Sequence, residues 1–331
     1  MIVSIVLLLA CAAVIYASCE LFVNGVEWLG RRLNVGETAT GTLLAAFGTA
    51  LPESAVTFVA VIFGATAAQK EMGVGAAIGG PLVLATISYA VVGLVLLVSA
   101  RKLNRRDAVI ITEQRRLSRD QGWFLSIFIF KIALGLVAFE GKRWLGLLFL
   151  AAYAAYVWKE MTHRGDNSEE ELEPLTFSRR SSNPPLGIIL LQTLGALTLM
   201  GIASHYFVHE MGAIGPWLGL SPQLVALLIS PIATELPETM NAVIWVRQGK
   251  EKLALANISG AMMIQATVPS ALGLLFTPWL LDTPLIVAAV ATAAAVGMLY
   301  LGFRHSHVSA WALIPNALVY GIFAAGAWVL S

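Results

Sequence analysis

Gly48-Thr49-Ala50-Leu51-Pro52-Glu53-Ser54 and Ala233-Thr234-Glu235-Leu236-Pro237-Glu238-Thr239 decide how this chain is read. Each sets a Thr-x-Leu-Pro-Glu core inside an otherwise apolar segment of membrane-crossing length. A carboxylate in hydrocarbon is costly, and a proline in mid-helix removes a rung of the backbone ladder beside it. One such element marks a site. Two of them, 185 residues apart, point to a transporter built by duplication of a broken-helix unit.

Composition supports a membrane setting along the whole length. The 331 residues are 58% hydrophobic and only 12% charged, with a mean hydropathy of +0.78, far from soluble averages. The net charge of +1 gives no reason to expect nucleic acid as a partner. Cys11 and Cys19 both fall in the first apolar segment and read as small buried hydrophobes. No basic stretch precedes that segment, so it reads as a retained first helix.

A hydrocarbon core of about 30 Å needs about 20 apolar helical residues. On that rule ten spans are expected, at 2–29, 38–64, 73–100, 122–139, 144–161, 186–209, 221–246, 253–281, 284–303 and 308–330. Ten spans put the basic residues of 31–32, 101–119, 159–180, 247–252 and 304 on one side. Only Lys70, Lys142 and Arg143 fall on the other, and Lys131 lies within a span. The crowded side is expected to be cytoplasmic, with both termini extracytoplasmic, in a multi-pass protein of the cell (inner) membrane.

Sliding the second half against the first at the same offset aligns residues 18–57 without a gap. A second loop four residues shorter then brings Gly79 onto Gly260. The fold class that follows is an all-α integral membrane protein of ten transmembrane helices. They form two inverted five-helix repeats with broken central helices, because an odd number of spans between the copies inverts the second. The domains are 1–161, the first membrane repeat; 162–185, an acidic cytoplasmic linker; and 186–331, the second repeat. Pro52 strips the carbonyl of Gly48 of its helical partner, and Pro237 does the same at Ala233. Hard cations take such carbonyls together with carboxylates and hydroxyls. Thr49 with Glu53, and Thr234 with Glu238, stand at i and i+4 and are expected on one helix face. The plainer alternative is a pair of kinked packing helices with protonated glutamates bonded to each other.

The segment Glu20-Leu21-Phe22-Val23-Asn24-Gly25, the run Phe47-Gly48-Thr49-Ala50-Leu51-Pro52-Glu53 and its inverted echo resemble the sodium/calcium exchanger family of the cation/calcium exchanger superfamily. The resemblance covers nearly the whole chain. It implies exchange of calcium, or another divalent cation, against sodium or protons by alternating access, with ions held between Glu53 and Glu238. It implies no enzymatic activity and no cofactor beyond the transported cations. The chain departs from the family pattern in the third helix, Gly75-Ala76-Ala77-Ile78-Gly79-Gly80-Pro81 with Leu84 beyond, where amide and hydroxyl ligands are expected. The second repeat gains Glu235 and carries Gln265 where an acid or amide belongs.

Ligand counting then gives a smaller, second-repeat-weighted site of Glu53, Glu235 and Glu238. Thr49, Thr234, Gln265, Asn257 and Asn241 are candidates for neutral oxygens. The alternative for Glu235 is a bond to a neighbouring helix outside the ion cage. Other functional classes considered are a passively conducting channel and a non-transporting sensor that keeps the exchanger fold.

Glu20 and His205 correspond at the same offset and are candidates for a proton relay or gate, or else for polar packing between the long helices. His205, His209 and Glu210 lack the His-Glu-x-x-His order of a metalloprotease helix. Gly75, Gly79 and Gly80 permit close helix approach, or else their bare backbone lines the ion path. Lys131 reads as snorkelling or helix-paired. Trp28, Trp123, Trp144, Trp158, Trp217, Trp245 and Trp279 read as interfacial anchors. The partners expected are the lipid bilayer and the transported cations; nothing in the sequence sets the oligomeric state.

Overall fold

Apolar runs without interior breakers give long helices, and those that carry proline bend or end. The computed structural model describes residues 2–32, 50–100, 109, 110, 112, 114–162, 173–304 and 308–330. Helix α1 spans Ile2–Arg32, with Arg31 and Arg32 in its last turn, where the negative end of the helix dipole favours cations. The apolar α2 spans Ala50–Phe63 and closes in a widened π turn at Val59–Phe63. Helix α3 covers Ala67–Ser99; a second π turn, Leu84–Ser88, follows Pro81 within it. Helices α4 and α5 run Gln114–Gly135 and Gly146–Thr162.

Helix α6 spans Leu186–Leu218. It stops at Gly219, whose φ of 66° is open to glycine and lets its N–H reach the carbonyls of Gly215 and Pro216. Helix α7 has two halves, Pro222–Thr234 and Leu236–Arg247. Its start is fixed by the Ser221 side chain, which accepts from the Leu224 N–H, and by proline in the first turn. Helix α8 spans Glu251–Phe276, α9 Thr283–Phe303 and α10 Pro315–Leu330. Among the described residues there is no strand beyond one antiparallel bridge between Val109 and Ser309.

Six helices among the described residues are long and apolar enough to cross a membrane: α1, α3, α6, α8, α9 and the segment Ala310–Ala327 that overlaps α10. Helix α1 packs along α6, and α3 along the first half of α7, with α8 against α3. Glycine sets these distances. A Cβ on Gly25 would lie 2.4 Å from the Thr193 hydroxyl of α6. On Gly75 and Gly79 it would lie 2.1 and 2.5 Å from the carbonyls of Gln223 and Leu227 in α7.

Three expectations change. The span expected to end at 209 runs on to Leu218. The helix expected to begin at 122 begins at Gln114. Its Leu117 and Phe124 are buried one turn pair apart, so an apolar face carries the helix through a polar stretch. Trp28 and Trp279, expected at the interface, are instead 5% and 0% exposed. The indole of Trp28 donates to the Glu173 carbonyl (3.0 Å) and that of Trp279 to the Lys131 carbonyl (3.0 Å), so each satisfies its N–H inside the protein. Of the two readings of Lys131 the helix-paired one holds: it is 0% exposed and its ammonium is bonded to α3.

Candidate cation site

Proline creates the geometry of α7. Pro237 has no N–H to give to Ala233, and the chain turns at Glu235 (φ −98°, ψ −7°) between the two helical halves. The backbone N–H of Glu235 still reaches the Pro231 carbonyl (2.9 Å), and Thr239 closes the joint by donating its hydroxyl to the Glu235 carbonyl (2.9 Å). A second tie runs from α3, where the hydroxyls of Ser88 and Thr239 lie 2.7 Å apart.

The joint keeps right-handed helical dihedrals at Glu235, with Thr234 in the first half and Glu238 in the second. Thr234 faces α2. Its hydroxyl lies 2.6 Å from Glu53 Oε2, 3.1 Å from Glu235 Oε1 and 3.2 Å from the Ser230 carbonyl, so its one proton stands among three acceptors. Glu235 Oε2 accepts from Gln265 Nε2 of α8 (2.8 Å). Glu53, Thr234, Glu235 and Gln265 therefore form one chain across α2, α7 and α8, each member no more than 2% exposed.

The apolar α3 closes this chain from the side. A Cβ on Gly80 would meet Gln265 Oε1 at 2.9 Å and Glu235 Oε1 at 3.1 Å, so bare backbone is what lets the polar groups fit there. The sequence offers two readings of Gly80, close helix packing and bare backbone lining an ion path; in the structure it is a wall of this cluster. Thr57, one turn beyond Glu53, is also buried with its hydroxyl unpartnered; its i, i+4 spacing from Glu53 was the available signal.

Glu238 is 1% exposed, and among the described residues neither of its carboxylate oxygens has a hydrogen-bond partner. Glu53 Oε1 and Gln265 Oε1 are likewise unpartnered. Glu238 interacts electrostatically with Glu235 and Glu53, and with Tyr16 and Cys19 of α1. Buried carboxylate oxygens without donors are costly, and either a proton or a cation would answer them. Among the described residues no three His, Cys, Asp or Glu side chains converge closely enough to hold a metal ion.

The other candidates lie apart. Asn257 and Asn241 are half-buried, and no hydrogen bond ties either to the cluster among the described residues. Thr49 and Gly48 lie outside the described residues. Glu20 and His205 are both exposed. Glu20 interacts with the Tyr16 hydroxyl, and the His205 ring meets Tyr206 edge-on at 5.9 Å, with no contact joining Glu20 to His205 among the described residues.

Comparison with known proteins agrees with this architecture. The sodium/calcium exchanger protein family profile matches residues 3–160 and 188–329. The putative antiporter CaxA of Alkalimonas amylolytica is 24% identical over 313 residues, covering 92% of this chain and 91% of that protein. The H+/Ca2+ exchanger CAX shares the fold with a TM-score of 0.74 at 16% identity, over 99% of this chain and 86% of that one. The sodium-calcium exchanger NCX_Mj does so with a TM-score of 0.58 at 22% identity, over 98% of both.

Proposed function

The chain belongs to the sodium/calcium exchanger protein family, and from that premise we propose that it is a secondary active antiporter exchanging calcium, or another divalent cation, for sodium or protons. The cation is held between Glu53 and Glu238, with Glu235, Thr234 and Gln265 completing the oxygen set. The single observation that carries this reading is the buried, unpartnered carboxylate of Glu238 beside the Glu53–Thr234–Glu235 chain. Two carboxylates that share one hydroxyl proton, with a third left open, are arranged to trade a hard cation for protons or for weaker-bound monovalent ions.

Alternating access follows from the same parts. Two inverted five-helix repeats, 1–161 and 186–331, meet at the cluster, with 162–185 cytoplasmic and both termini extracytoplasmic in the cell membrane. A passive channel would need a continuous polar path. The close approach of Gly75 and Gly79 to α7 carbonyls supports a closed wall instead.

Counter-flow tests the reading. In proteoliposomes loaded with sodium, or set with an inward-acid pH difference, calcium uptake is expected only while the monovalent gradient stands. Calcium uptake that ignores both gradients would overturn exchange and leave passive conduction.

A further inference from the structure

Lys131 is an intramembrane cation with no part in the reading above. It is 0% exposed, and its ammonium donates to the Ala77 carbonyl of α3 (3.0 Å) while standing 4.9 Å from the centroid of the Phe128 ring. Ala77 is four residues before Pro81, which has no N–H, so its carbonyl lacks the usual helical donor. The ammonium fills that gap, as membrane depth requires. One helical turn beyond Ala77, Gly80 bears on Glu235 and Gln265, so the lysine enters the protein at the cluster's own wall. It interacts electrostatically with Glu53. A neutral hydroxyl or amide would satisfy a lone carbonyl, whereas a full charge in hydrocarbon is retained where another charge answers it.

We propose that Lys131 is a fixed cation of the transport site, seated where α3 offers no polar side chain, and that its charge sets the exchange ratio. This rests on the exchange reading above. Glu53, Glu235 and Glu238 carry three negative charges when ionised, and one ammonium leaves two to be matched. One divalent cation matches them, and so do two monovalent cations. Exchange at that ratio moves no net charge across the membrane. Without the ammonium, three monovalent cations balance the site against one divalent, and each cycle moves one charge.

The test compares wild type with Lys131→Met in proteoliposomes, reading the ratio of monovalent to calcium movement and the dependence of flux on a potassium–valinomycin potential. The expected result is a ratio of about two without potential dependence in wild type, rising to about three with potential dependence in the variant. An unchanged ratio in Lys131→Met, or a wild type already driven by the potential, overturns the proposal. Thermal unfolding in detergent covers a variant that fails to fold. Glu53→Gln added to Lys131→Met is expected to recover most of the lost melting temperature, and no recovery overturns the charge pairing. A wild type that moves no divalent cation would sink the exchange reading instead, and the unfolding comparison would then decide the role of Lys131 alone.

Discussion

Thr234 shows how much of the site hangs on single atoms. Its hydroxyl stands 2.6 Å from one carboxylate and 3.1 Å from another, and nothing else joins Glu53 to Glu235 by hydrogen bonds among the described residues. Thr234→Val keeps the shape and removes that bridge. A hydrogen bond to a charged group contributes about 1.5–3 kcal/mol. Calcium binding to the detergent-solubilised protein, followed by titration calorimetry, is therefore expected to weaken about tenfold or more. Equal affinity in the variant would show that Thr234 only packs. At this scale Glu53, Thr234, Glu235, Glu238 and Gln265 were legible because each is a polar residue set in an apolar run. The Ala77–Lys131 bond was not, since a backbone carbonyl leaves no chemical mark in the sequence. Trp279 misled for a related reason: its place near the end of a span suited an interfacial anchor, yet its ring fills the space over Gly273, where a Cβ would lie 2.2 Å from it.

Helices inherit their behaviour from these residues. The repeated Pro-Glu pair correctly marked a break in α7, but not which side chains the break would bring together. Helical spacing put Thr234 with Glu238, and gave no sign that the Thr234 hydroxyl would stand beside both Glu53 and Glu235. Hydropathy located most helices to within a few residues and failed where an amphipathic turn continues a span, as at 114–121. The α1–α6 pair is held by contact too close for side chains at Gly25, whose Cβ would lie 2.4 Å from the Thr193 hydroxyl and 3.3 Å from its backbone nitrogen. Rigid backbone cannot yield as a flexible side chain does. Gly25→Leu is expected to cost about 1–3 kcal/mol through overpacking, read as a lower melting temperature in detergent with weakened flux. A variant as stable as wild type would mean that α1 and α6 separate freely.

For the whole molecule, the Pro-Glu segments of the two halves come together in one apolar body, and that juxtaposition is the reason to expect transport. The fold is shared with solved exchangers at low identity. A protein that holds its cargo between Glu53 and Glu238 has to lose exchange when either carboxylate becomes an amide of the same shape. Monovalent-driven calcium flux into proteoliposomes, with Glu53→Gln and Glu238→Gln each compared with wild type at equal reconstitution, reads that directly. The expected result is loss of at least about a hundredfold in both variants, the consequence of removing a ligand charge worth about 3 kcal/mol. Unaltered flux in both would contradict the account at its centre.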